Sequence, residues 1–216
     1  IDLAPRWMAG ADIVFGELVA RLPWRQREVV MYDQLLPEPR LTAWWSTDAD
    51  AGDPDDRPDD RADDRAVDGD DTAAHAAEPL PVLADARREL SRRYGRPFDS
   101  IGFNLYRDGR DSVAWHGDRE RWLREDPVVA IVSVGAPRPF HLRPRLSRAG
   151  IDPQQFLVGQ GDLLVMGGAC QHDWEHCVPK LAHAAGPRLS IMFRHGFAAA
   201  QPENTSVPGP AARLTG

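Results

Sequence analysis

A chain of 216 residues with 42% hydrophobic and 27% charged residues can bury a real core as one domain. Its formal net charge is −7, and no apolar run approaches the ~18 residues a membrane helix needs, so a membrane-embedded role is set aside. Cys170 and Cys177, the only two cysteines, exclude a disulfide scaffold and point to a reducing cytoplasm. The first residue is Ile1, so a targeting segment ahead of it would not be visible.

Residues 1–47 read as an N-terminal segment with one helix. Ala11 to Leu22 places Ile13, Val14, Leu18, Val19 and Leu22 at helical spacing, and Pro23 ends the run. Residues 48–78 then change character. They hold 13 acidic residues and three arginines, a net of −10, which leaves the rest of the chain with 23 basic against 20 acidic residues. Such a stretch, with almost no apolar content, cannot offset its ordering entropy and is expected to be a disordered insertion. The remainder is therefore mildly basic, and the overall acidity does not argue against a polyanionic partner.

From Leu80 to Tyr94, Leu83, Ala86, Leu90 and Tyr94 recur at spacings of three and four before Gly95, which predicts a second amphipathic helix. Beyond Ser100 the pattern turns to short strands punctuated by Gly and Pro: Ile101–Tyr106, Val128–Val134, Pro139–Arg143, Gln155–Val158, Asp162–Met166, Cys170–Cys177 and Leu189–Arg194. The expected architecture is mostly β with flanking helices (α+β), a jelly-roll or double-stranded β-helix spanning residues 79–200. The tail, residues 201–216, carries Pro202, Pro208 and Pro210 and reads as disordered.

Two places in this pattern carry chemistry. His116-x-Asp118 sets a nitrogen and an oxygen donor two residues apart, and in extended backbone both point to one face. A catalytic metal needs a third ligand, and His176 in Trp174-Glu-His-Cys-Val-Pro is the best candidate, with His172 as its local rival. Two imidazoles and one carboxylate with open positions opposite favour non-haem Fe(II). In the second place, strand periodicity puts Arg188, Ser190, Met192 and Arg194 on one face and Leu189, Ile191 and Phe193 on the other. Buried, two such arginines would need anions, and a dicarboxylate suits them because guanidinium forks bind carboxylates bidentately. An edge strand with two solvated arginines is the other reading, and periodicity by itself favours it.

Asn104-x-Tyr106-x-x-Gly109-x-Asp111, His116-x-Asp118, Gly161-Asp-Leu-Leu-Val-Met166, His176-x-Val-Pro179 and Pro187-Arg188-x5-Arg194 occur in that order. Together they resemble the AlkB family of Fe(II)/2-oxoglutarate dioxygenases, in its branch that repairs alkylated nucleobases. The match covers roughly residues 97–197, with a weaker one at Pro39-Arg-Leu-Thr-Ala-Trp-Trp45. The resemblance implies that His116, Asp118 and His176 hold Fe(II), and the Val178-Pro179 context favours His176 over His172. It implies that Arg188 takes the distal carboxylate of 2-oxoglutarate, that Arg194 orients its inner end, and that Asn104 and Tyr106 complete the pocket. Glu120 stands where related enzymes contact the exocyclic amine of a flipped base, and Trp44 or Trp45 is the available stacking residue.

The implied reaction is oxidative demethylation of N-alkylated bases such as 1-methyladenine and 3-methylcytosine, in DNA and by extension RNA. Oxygen is the cosubstrate, and a monomer is expected. A departure from the family bears on substrate: where an aromatic-bearing segment usually covers the flipped base, this chain carries the acidic block. Two further readings are a dioxygenase acting on a protein or small molecule and a non-catalytic interaction module.

Overall fold

The computed structural model describes residues 1–31, 34–48, 80–117, 127–146 and 152–196. The acidic insertion and the C-terminal tail expected from sequence lie outside these residues, as do Asp118 and Glu120. Twelve strands are described. They run β1 (Asp2–Ala4), β2 (Glu28–Met31), β3 (Gln34–Pro37), β4 (Leu41–Ser46), β5 (Phe98–Tyr106), β6 (Val113–His116), β7 (Val128–Gly135), β8 (Arg138–Pro144), β9 (Gln154–Val158), β10 (Asp162–Gly167), β11 (Trp174–Val178) and β12 (Arg188–His195). Three helices are described: α1 (Ala11–Arg21), α2 (Pro81–Tyr94) and α3 (Ala169–Asp173).

Six strands form a large sheet in the order β1-β10-β7-β12-β5-β4, and four form a small sheet in the order β6-β11-β8-β9. β2 and β3 pair with each other as a hairpin. Every pairing in the two main sheets is antiparallel, as a jelly-roll requires.

Period-two alternation divides the large sheet into two apolar faces. On one face Ile101, Phe103, Ala130, Val132, Leu163, Leu189, Ile191 and Phe193 form a core with Val14 and Leu18 of α1 and Leu83, Ala86 and Leu90 of α2. On the other, Tyr106, Val129, Ile131, Leu164 and Met166 meet Phe140, Leu142, Val158 and Val178 of the small sheet. The helices therefore back the large sheet from outside, and the inter-sheet space is left to the site. α2 ends as its sequence implies, with Gly95 at φ 61°, a left-handed cap.

Three expectations change. Cys170–Cys177 is not one strand: Gly168, at φ 55°, opens the short helix α3, and β11 starts only at Trp174. In α1 Ile13 faces outward and is 68% exposed, while Val14, Leu18 and Leu22 carry the buried stripe. The strands β1, β2, β3, β4 and β6 were not foreseen.

The loop from β5 to β6 is held locally. The Asp111 carboxylate accepts from the Arg107 side chain at 2.8 and 2.9 Å and from the Arg107 backbone N–H at 2.8 Å. Burial alone would raise the Asp111 carboxyl, but these bonds outweigh it and hold it below its ordinary value. A carboxyl depressed on folding contributes stability above its unfolded-state pKa, and that contribution is lost as pH falls through the folded value. Asp111→Asn is thus expected to lower stability near neutrality and to flatten its decline below about pH 4, read by denaturant unfolding across pH. In the outer core, Leu90→Ala should cost ~2–5 kcal/mol while Ile13→Ala stays within about 0.5, measured the same way.

Candidate functional site

The small sheet brings two histidines together. β6 and β11 pair with His116 directly opposite His176, and the ring centroids are 4.3 Å apart at an interplanar angle of 55°. His176 is buried and stacks on Phe140, centroid to centroid 5.4 Å at 18°, so its ring is braced from the inter-sheet core. His116 Nδ1 lies 2.8 Å from the Ala114 carbonyl oxygen. A carbonyl can only accept, so Nδ1 donates, which leaves Nε2 as the ring nitrogen a metal would take. His172, the rival third ligand, is exposed on α3 and has no place in the β6–β11 register. Arg145 lies against the backbone at Gly117, the residue that separates His116 from Asp118.

Across the inter-sheet space the large sheet presents a row of polar side chains. In β12, Arg188 is in register with Tyr106, Ser190 with Asn104, Met192 with Gly102 and Arg194 with Ser100. Leu189, Ile191 and Phe193 point into the outer core, so the split expected from periodicity holds. The strand is internal, flanked by β5 and β7, which overturns the edge-strand reading of its arginines.

Arg188 has 0% exposure. Its Nη2 donates to Ser133 Oγ at 2.7 Å, and its guanidinium carbon sits 5.3 Å from the centre of the Tyr106 ring. Nε and Nη1 have no hydrogen-bond partner among the described residues. Burial depresses the pKa of this guanidinium, the Tyr106 side chain opposes that shift, and the nearby Arg138 adds to it. A buried cation with unmade donor bonds is costly unless an anion completes it. The open N–H groups and the planar fork fit a carboxylate. Asn104, partly exposed in the same row, gives its amide N–H to the Met192 sulfur at 3.6 Å, a weak acceptor. Arg194, two pairs further along, is only partly buried.

The two tryptophans separate by strand alternation. Trp45 is 8% exposed in the outer core, with Arg87 over its ring at 5.5 Å, so it is not placed to stack on a base. Trp44 lies on the opposite face beside Gly102 and Met192, in the row that carries Asn104 and the arginines. Gly102 makes room for that ring: a Cβ there would lie 3.1 Å from the Met192 methyl and 3.3 Å from the Trp44 ring.

Sequence reading missed Ser133, Phe140 and Arg138. Ser133, with 0% exposure in an otherwise apolar strand, orients Arg188. Arg138, also with 0% exposure, stands between Pro137 and Pro139. A charged residue inside an apolar, proline-flanked run was the available signal.

Residues 11–194 match the family model of the 2OG-Fe(II) oxygenase superfamily. The chain is 34% identical over 190 residues to alpha-ketoglutarate-dependent dioxygenase alkB homolog 3 of Mus musculus, covering 85% of this chain and 61% of that protein. It is 38% identical over 136 residues to DNA oxidative demethylase ALKBH2 of Arabidopsis thaliana, covering 54% of this chain and 43% of that one. It thus spans about three-fifths or less of the length of these relatives. The solved structure of OsALKBH1 superposes with a TM-score of 0.54 at 17% identity, over 89% of this chain and 95% of that one. An oxidoreductase of the 2OG-Fe(II) oxygenase family from Burkholderia pseudomallei gives 0.54 at 14%, over 90% and 85%. These last two establish the shared fold. The chain belongs to the 2OG-Fe(II) oxygenase superfamily.

Proposed function

We propose that this protein is an Fe(II)- and 2-oxoglutarate-dependent oxidative demethylase of N-alkylated nucleobases in DNA, with 1-methyladenine and 3-methylcytosine as its lesions. The observation that carries the reading is the wholly buried Arg188, with unsatisfied N–H groups, on the wall facing the His116–His176 pair. A cation for a carboxylate and paired imidazoles for a metal are the two requirements of this chemistry. Relatives named DNA oxidative demethylase favour nucleic acid over a protein or small-molecule substrate.

In this reading His116, His176 and Asp118 would hold Fe(II). Arg188 would hold the distal carboxylate of 2-oxoglutarate, Arg194 would orient its inner end, and Asn104 and Tyr106 would complete the pocket. Bound iron, with 2-oxoglutarate and oxygen, supplies the oxidation that hydroxylates the N-methyl group, which then leaves as formaldehyde. The chain's own work is geometric. Ser133 fixes the Arg188 fork, Phe140 fixes the His176 ring, and the apolar inter-sheet core excludes water around both. Trp44 would stack on the base brought out of the helix, and Glu120 would read its exocyclic amine.

The test is turnover of oligonucleotides carrying 1-methyladenine or 3-methylcytosine, read by mass spectrometry with Fe(II), 2-oxoglutarate and oxygen present. The expected result is loss of one CH₂ per lesion only when 2-oxoglutarate is added. Succinate without demethylation would move the substrate to a protein or small molecule, and neither product from folded, iron-loaded protein would leave an interaction module. His176→Ala is expected to abolish turnover. Arg188→Ala should raise the 2-oxoglutarate concentration for half-maximal rate about tenfold or more, since a charge-assisted hydrogen bond is worth ~1.5–3 kcal/mol. Trp44→Ala should weaken lesion binding by the ~1–3 kcal/mol of one base stack.

A further inference from the structure

The two histidines sit on a short and irregular ladder. β6 and β11 share two registered pairs, His176 with His116 and Val178 with Val113, and an extra residue in β6 shifts the register between them. A bulge of this kind bends and twists a strand pair. The ladder cannot continue past Val178, because the next residue, Pro179, has no N–H to give. The backbone pairing of β8 with β11 also stops short of this end, running from Trp174–Pro144 only to Cys177–His141, so what β8 supplies here is the side chain of its first residue, Arg138.

The place of the missing backbone donor is taken by a side chain. Arg138 Nη2 donates to the Asp111 carbonyl on the β6 side and to the Pro179 carbonyl on the β11 side, both at 2.9 Å. Its Nη1 donates to the Asp108 carbonyl at 2.8 Å. Beyond this junction the backbone resumes contact, with Leu181 N–H on the Gly109 carbonyl at 2.7 Å. Gly109 permits the approach: a Cβ there would lie 2.7 Å from the His183 carbonyl oxygen. The guanidinium carbon of Arg138 also lies 5.8 Å from the centre of the Tyr106 ring, whose other cationic neighbour is Arg188. Arg138 has 0% exposure and makes no direct ion pair among the described residues; three carbonyl dipoles meet its guanidinium, and the nearby Asp111 and Asp108 carboxylates favour its charged form.

We infer that Arg138 is a positioning residue that closes the open end of the β6–β11 ladder and so sets the separation of His116 and His176 and the seat of Tyr106. The inference rests on the proposed role of the two histidines as metal ligands. A metal site tolerates misplacement of only about 0.5 Å, and a bulged two-pair ladder does not hold strands to that tolerance unaided.

The experiment compares wild type with Arg138→Met and Arg138→Lys, each checked for folding by circular dichroism, using Co(II) as the metal probe. Leu90→Ala, in the outer core away from the two histidines, serves as a destabilised control. Arg138→Met is expected to weaken Co(II) about tenfold, the lower end of what losing support for a ligand costs, and to alter the Co(II) visible spectrum. Arg138→Lys, which keeps charge and three donors, should recover part of both, and Leu90→Ala should change neither. In the metal-free protein, amide exchange in residues 113–116 and 174–178 should rise in Arg138→Met. Should that variant not fold, Arg138→Gln, whose amide N–H groups reach at most two of the three carbonyls, is read in the same way. Wild-type Co(II) affinity, spectrum and exchange in a folded neutral variant would overturn the inference. Failure of wild type itself to bind Co(II) would instead count against the proposed metal site, and the exchange comparison would still decide the clamp.

Discussion

A guanidinium with no access to water, and with no carboxylate paired to it among the described residues, governs the inner face of this barrel. Arg188 is in register with Tyr106 on one side and with Gly135 on the other, in the middle strand of the large sheet. Removing such a charge from water costs several kcal/mol, and one hydrogen bond to Ser133 offsets only part of that. Structures keep an arrangement like this where a ligand completes it. The flanking elements serve that condition: two helices seal the sheet behind Arg188, and the small sheet shields it in front.

The same logic explains the division of labour between the sheets. The large sheet supplies the cationic and amide groups from adjacent rows, and the small sheet supplies imidazoles from a facing pair of strands. Neither set is local in sequence, since His116 and His176 are sixty residues apart and meet only through β6 and β11. A jelly-roll closes such distances by strand pairing, which makes the accuracy of that pairing part of the chemistry. The bulge between β6 and β11 and the proline that ends their ladder are therefore weak points placed beside the site, and Arg138 stands at them.

Much of this was legible in the residues. Alternation in Arg188–Arg194 placed the arginines on one face and the apolar residues on the other, because a side-chain period of two survives any tertiary context. The spacing of Leu83, Ala86 and Leu90 likewise identified the buried stripe of α2. What was not legible depended on partners distant in sequence. β6 is four residues long, has no buried residue and carries no alternation signal, so it exists because β11 pairs with it. Cys170–Cys177 reads as one strand by composition, yet Gly168 turns the chain and α3 intervenes. Trp44 and Trp45 were equivalent in sequence, and only the pairing of β4 with β5 separates a core ring from one facing the site. Ser133 and Arg138 are polar residues in apolar runs, and their partners are visible only after folding.

The measurement closest to the central claim is a calorimetric titration of the Mn(II)-loaded protein with 2-oxoglutarate and, separately, with 2-oxobutyrate, which keeps the 2-oxo acid but lacks the distal carboxylate. If the buried Arg188 awaits that carboxylate, 2-oxoglutarate binds at least about tenfold more tightly, the equivalent of one charge-assisted hydrogen bond. Equal affinity for the two acids would contradict the account, because the cation would then have no part in holding the ligand.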